Sequence, residues 1–175
     1  KQLELNNLTL TLGNESSDLK INNPLILDQI NEKLISGAAD LELNDLLSIT
    51  NGELSSSGGE IRLNNGLDIS GGEVEFLNSS LLIGSELGSQ VSLIQSGGSL
   101  LTDTSSLQLI QNLILQSIEG FSFQSLDLNS RELSLASETS SLSLKEKLIF
   151  DLVSEKIDTG SADLRLEGGI QMSAG

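Results

Sequence analysis

The residues in this chain most able to do chemistry are carboxylates. Asp158-Thr159-Gly160-Ser161 sets an Asp on a tight Gly turn. An Asp so placed can act on a bond when a second carboxylate shares its proton. No second copy of the tetrapeptide occurs. Three closer pairs, Asp40/Glu42, Glu73/Glu75 and Asp163/Glu167, suit acid–base work on glycans if they flank a groove. Residues two apart share a face of a strand, so Glu73 and Glu75 line up outward. Outward carboxylates stacked this way make calcium the cation to look for, since hard cations want oxygen ligands. Other chemistries have nothing to run on. The chain has no His and no Cys, which removes the Ser-His and Cys-His triads and the His- or Cys-based zinc sites. Its Gly pairs belong to no P-loop or dinucleotide fingerprint. The chain therefore reads as a non-enzyme without a cofactor.

The elements that must hold these groups explain them better. Asp158-Thr159-Gly160-Ser161 resembles the catalytic tetrapeptide of aspartic proteases, but alone it is a turn leading into Leu164-Arg165-Leu166. That triplet is one copy of a phrase that recurs about every twenty residues. Its first beat is apolar-x-apolar, often followed by Asn. Copies with Asn are Leu3-Glu4-Leu5-Asn6, Leu19-Lys20-Ile21-Asn22, Leu41-Glu42-Leu43-Asn44, Ile61-Arg62-Leu63-Asn64 and Leu126-Asp127-Leu128-Asn129. Leu81-Leu82-Ile83, Leu107-Gln108-Leu109, Leu142-Ser143-Leu144 and Leu164-Arg165-Leu166 lack it. A second apolar-x-apolar beat follows, as in Leu25-Ile26-Leu27 and Leu67-Asp68-Ile69. A third follows in places, as in Val74-Glu75-Phe76 and Phe121-Ser122-Phe123.

Triplets separated by Asn, Gly and Ser are too short for hairpins. They can wind into a coil whose equivalent strands pair in parallel. The expected fold is all-β: one single-chain parallel β-helix, or β-solenoid, over residues 1–175, with about nine coils of about twenty residues. Leu3, Leu5, Leu19, Ile21, Leu41, Leu43, Ile61, Leu63, Leu126, Leu128, Leu164 and Leu166 should form the inward ladder. Asn6, Asn22, Asn44, Asn64 and Asn129 should turn corners, where Asn tolerates left-handed backbone and bonds locally. The Gly pairs 58–59, 71–72, 97–98 and 168–169 should mark other corners or bulges. A leucine-rich repeat shares the period but has one strand triplet per repeat. Most copies here depart from its Leu spacing. Two stretches predict short helices instead. Residues 24–36 start on Pro24 and space Ile26, Ile30 and Leu34 four apart. Residues 143–157 offer Ser143 and Glu146 as a capping box.

The bulk numbers bound the job. Only 19% of residues are charged, yet the net charge is −16 and the pI about 4.1. Acidity spread along the chain argues against nucleic acid and anionic membrane as partners, since both need Lys and Arg. No apolar run suits a membrane helix, so membrane insertion is not expected. The four aromatics are all Phe. Without Cys there is no disulfide, and the redox compartment stays open. Position 1 is Lys rather than Met, which reads as a processed product or a fragment of a longer chain. Asn7-Leu8-Thr9, Asn14-Glu15-Ser16 and Asn78-Ser79-Ser80 match the glycosylation sequon. In an Asn- and Ser-rich chain these are chance matches.

Residues 58–72, Gly-Gly-Glu-Ile-Arg-Leu-Asn-Asn-Gly-Leu-Asp-Ile-Ser-Gly-Gly, resemble a coil of filamentous-haemagglutinin-type exoproteins. Those are long bacterial β-helices, and the resemblance implies surface display, adhesion or fibre formation. It carries over no catalytic residue. The expected function is a structural module of a surface fibre or adhesin, extracellular or on a bacterial or phage-like surface, self-associating through its ends. Two other readings stay open. An unclosed Leu-lined sheet along 5–12 and 107–115 would carry lipid, and an intertwined trimer would make a phage-type fibre.

Overall fold

The computed structural model describes residues 3–173, and every helix or strand among them is a strand. Each coil has three sides. The first coil holds β1 (Thr9–Thr11), β2 (Leu19–Ile21) and β3 (Leu25–Leu27), and the second β4 (Lys33–Gly37), β5 (Leu41–Leu43) and β6 (Leu47–Ile49). The third starts with β7 (Glu53–Ser57) and β8 (Glu60–Leu63) and ends in β9 (Leu67–Leu77), which turns the corner and opens the fourth. There β10 (Ser80–Ile83) leads to β11 (Gln90–Leu101), which again rounds a corner into the fifth coil, with β12 (Ser106–Leu109) and β13 (Asn112–Ser117). The sixth holds β14 (Phe121–Phe123), β15 (Ser125–Asp127) and β16 (Glu132–Leu135), the seventh β17 (Leu142–Leu144), β18 (Leu148–Phe150) and β19 (Lys156–Asp158). Two further strands, β20 (Leu164–Leu166) and β21 (Ile170–Met172), lie on top.

A three-residue strand has no stability of its own. Each one here pairs in parallel with its equivalent one coil away. On the second face the register runs Leu19, Leu41, Ile61, Leu81, Leu107, Leu126, all apolar and all inward. The third face, β3–β6–β9–β11–β13–β16–β19, is one unbroken ladder. The other two faces each break once. The first is interrupted between β11 and β14, the second between β15 and β18. The Leu ladders meet in a single closed core, in which Leu27, Leu47, Ile49, Leu63, Ile69 and Phe123 have no more than trace exposure.

The chain winds about seven turns, not nine. The spacing explains the difference. The phrase sits on the second face from Leu19 to Leu126, but its copies at Leu142 and Leu164 are β17 and β20, on the first face. Leu3-Glu4-Leu5 precedes β1 and lies beside Ile26 and Asp28, under the third face. The steps 3 to 19 and 126 to 142 therefore advance two sides of a coil rather than three. The true successor of Leu126 on the second face is Leu148.

Neither expected helix forms. Residues 24–36 are β3, a turn and β4; residues 143–157 hold β18 and the start of β19. Both helical signals come from one turn. Glu32 Oε2 accepts from the backbone N–H of Asp28 (2.9 Å) and Gln29 (3.1 Å). Glu155 Oε2 does the same for Asp151 (2.8 Å) and Leu152 (3.1 Å). In sequence both are Asp-x-x-x-Glu-Lys, at 28–33 and 151–156, and the Lys opens the next strand. A carboxylate on two orphan amides is helix-start chemistry, spent on a single loop. The apolar residues at the tips face water, Ile30 at 78% and Val153 at 90% exposure. Glu146 caps nothing; its Oε1 accepts from Gln124 Nε2 at 2.9 Å.

Glycine sets the corner into the first face. Gly52, Gly72, Gly98 and Gly120 each immediately precede a first-face strand segment. Gly72 has φ +68°, and a Cβ there would lie 2.2 Å from the Gly52 carbonyl oxygen. Successive coils stack backbone on backbone at this edge. The pairs 58–59 and 168–169 turn the next corner, into the second face.

Candidate functional surfaces

The twelve inward-ladder residues all join the core. Leu5, Ile21, Leu41, Leu43, Ile61, Leu63, Leu126 and Leu128 are buried, while Leu3, Leu19, Leu164 and Leu166, near the two ends, are partly covered. The five corner Asn split into two kinds. Asn6 (φ 50°) and Asn129 (φ 48°) adopt the left-handed backbone, and Asn129 Nδ2 donates to the Leu109 carbonyl at 3.0 Å. Asn22, Asn44 and Asn64 do not. Their side-chain amides stack into a ladder: Asn44 Nδ2 donates to Asn22 Oδ1 at 2.6 Å, and Asn64 Nδ2 to Asn44 Oδ1. Asn44 alone bonds in both directions. Asn44→Ala should therefore cost about 1–2 kcal/mol, roughly twice the cost of Asn22→Ala, by the usual worth of such bonds. Urea unfolding midpoints of the two variants check this.

A second internal ladder was illegible in sequence. At the corner between the first and second faces, Ser36, Ser56, Ser79 and Ser105 are buried. Ser56 Oγ bonds Ser79 Oγ (3.1 Å), and Ser105 Oγ accepts from Ser79 N (3.0 Å) and donates to the Phe76 carbonyl (2.8 Å). At the corner before the first face, Ser117 Oγ donates to Gln95 Oε1 (2.8 Å) and accepts from Gly120 N (2.9 Å). These hydroxyls satisfy turn amides that the core would otherwise strand. The sequence signal is a Ser one coil from another Ser, hidden because Ser is common outside as well.

Four of the seven candidate carboxylates, Asp40, Glu42, Asp158 and Glu167, are engaged locally. Asp158 ends β19, accepts from Gly160 N at 3.2 Å and lies 3.5 Å from Lys156; the tetrapeptide is a turn closed by Ala162 N to the Thr159 carbonyl. Asp40 accepts from Glu60 N at 2.8 Å, Glu42 pairs with Lys20 at 2.7 Å, and Glu167 with Arg165 at 3.3 Å. Glu73 and Glu75 point out from the first face, in register with Glu53 and Ser55, and Glu53 pairs with Lys33. On the second face Glu60 accepts from Arg62 at 2.8 Å. That bond, aided by the fields of Glu60 and Glu42 and opposed by slight desolvation, holds the Arg62 pKa above its ordinary value. Among the described residues no three acidic side chains gather closely enough to hold a metal ion. Where the second face breaks, a shallow cleft of about 420 Å³ opens beside Leu126, Asp127, Lys147, Ile149 and Asp151.

Three-sided parallel coils around a closed Leu core define the chain as a β-solenoid repeat protein. Compared with known protein families, curated proteins and solved structures, it matches none.

Proposed function

We propose that this chain is a non-catalytic structural module of a surface fibre or adhesin, bacterial or phage-like, standing outside the cell and joined end to end. The observation that carries this is a gradient of exposure along the rod. Inward residues are sealed in the middle coils. In the last rungs Ile157, Leu164 and Leu166 are only partly covered, and Ile170 and Met172 are 56% and 72% exposed. At the other end Leu3, Leu10 and Leu19 are partly covered. β19, β20 and β21 each pair on one side only among the described residues. An open apolar cross-section with a free strand edge is best covered by more β-coil. The resemblance of residues 58–72 to filamentous-haemagglutinin-type coils supports surface display. The closed core favours a rod over a lipid carrier, since Leu25, Leu27, Leu47 and Ile49 are at most 1% exposed.

The purified chain should show a mass that grows with concentration in light scattering, and rods longer than one copy by electron microscopy. A monodisperse monomer at millimolar concentration overturns stacking. Lipid carried through purification and seen in native mass spectra would favour the carrier instead.

A further inference from the structure

A solenoid is held together coil by coil, so its stability is a sum over neighbouring coils and its weakest junction decides where it parts. Low in the rod the junctions are broad. Between coils four and five, β10 pairs with β12 over four residues and β11 with β13 over six. Higher up, the ladders stop at different levels. Among the described residues β14 has no strand partner below it on the first face, and β15 has none above it on the second. A step drawn under β14 and over β15 therefore crosses no ladder until the third face. There β16 meets β19 over three residues, Glu132 to Ser134 against Lys156 to Asp158. Of that β19 triplet only Ile157 packs on the core, and it is partly covered, while Lys156 and Asp158 lie in water. The Lys156 amide reaches the Arg131 carbonyl over a long 3.5 Å. Elsewhere on the step isolated side-chain bonds act, Thr102 Oγ1 donating to the Ser122 carbonyl at 2.6 Å and Lys145 pairing with Asp103 at 2.7 Å. A second observation falls on the same seam. Among the described residues Arg131 Nε is the one buried side-chain polar atom without a hydrogen-bond partner. A buried donor left unpaired destabilises the closed form, and parting the seam returns it to water.

We propose that β14 and the strands β17 to β21 form a cap that unfolds as one cooperative unit while the coils below stay folded. Three-residue strands have no stability apart from their neighbours, so a cap that leaves the step also melts. Its opening bares Leu126, Leu128 and Leu133, all buried in the closed rod. The rod then has a second, inner end, edged by β15 and β16, that comes and goes. This device does not depend on rods joining end to end.

Native-state hydrogen exchange in low urea tests it on the full chain at micromolar concentration. The cap is read at the amides of Phe121, Leu142 and Lys145, which donate to the carbonyls of Ser141, Asp163 and Phe123. The rod is read at Asn44, Asn64 and Ile110, which donate to Ile21, Leu43 and Ile83. The three cap amides should share one opening, about tenfold or more as frequent as that of the rod amides. Ala136, whose amide donates to the Leu115 carbonyl, should exchange with the rod although Phe121 precedes it in sequence. Protection that falls smoothly from β21 downward, with Ala136 opening before Phe121, is plain end fraying and overturns the proposal. A single opening common to all seven amides overturns it too. Two variants should move the cap in opposite directions. Thr102→Val removes a bond across the step and should speed exchange of the cap amides about two- to tenfold. Arg131→Met keeps the stem, removes the orphan donor and should slow them. Neither should change Asn44, Asn64 or Ile110. The proposal fails if either variant shifts cap and rod alike, or if Arg131→Met speeds the cap.

Discussion

Gly72→Ala is expected to unfold this protein or nearly so, while Gly37→Ala leaves it folded. Both glycines have positive φ, +68° and +58°. Each substitution thus forces Ala into the left-handed region, at about 1–2 kcal/mol. There the likeness ends. A Cβ on Gly37 meets nothing within 4 Å. A Cβ on Gly72 falls 2.2 Å from the Gly52 carbonyl oxygen and 2.9 Å from the Asn51 carbonyl carbon. Both are backbone, held by the next coil down, so neither can swing aside. Relief requires two coils to part at their tightest edge, breaking the β7–β9 register. Overpacking of that kind adds about 1–3 kcal/mol, for a total near 2–5 kcal/mol. Thermal melts of the two variants decide it. Equal melting temperatures would mean that the coils do not stack backbone on backbone there.

Phe76→Ala should cost about 3–5 kcal/mol, as buried Phe truncations do. The ring is fully buried, and its register partner across the ladder is Ser56. It therefore fills room that smaller neighbours leave. Phe76→Leu, which keeps most of the volume, should cost less than half as much. The Phe76 carbonyl also receives the Ser105 hydroxyl, so backbone movement at this rung would disturb the buried Ser ladder too. Denaturant unfolding of both variants measures the ratio. Similar losses would point to a site that relaxes freely.

Much of the fold is legible in the triplets, because alternation fixes which side chain points inward wherever one face is buried. Residues 19–128 show this best. The Leu-x-Leu copies there occupy one face in strict register. Legibility fails where two devices share one spelling. Asp28 to Glu32 and Asp151 to Glu155 carry helix-start chemistry and apolar residues four apart. Only the burial of Leu25, Leu27 and Leu34, with Ile30 left in water, shows strand–turn–strand. Reading 143–157 as a helix also hid β18, and hiding β18 let the phrase jump from the second face to the first. The other miscounted step, from Leu3 to Leu19, has no helix in it; there the triplet before β1 was counted as if it lay on the second face. The Asn phrase was legible as a corner, but spacing alone could not separate left-handed turns at Asn6 and Asn129 from the amide ladder at Asn22, Asn44 and Asn64. The surfaces were least legible, since sheet face depends on register and only a register shows that Ile94 and Ile114 belong together.

The two interruptions in the strand ladders carry a mechanical consequence. They fall on different faces and one rung apart, after β11 on the first and after β15 on the second, while the third face runs through. Below them the rod is bonded on all three sides and resists bending in any direction. Across them only one wall is continuous, so that wall acts as the leaf of a hinge. The far side is tethered by Lys145 and Asp103, whose 2.7 Å ion pair reaches over an entire coil. A rod built this way bends most readily over those two adjacent rungs, where isolated bonds such as Thr102 Oγ1 to the Ser122 carbonyl (2.6 Å) and the Lys145–Asp103 pair stand in for a continuous ladder.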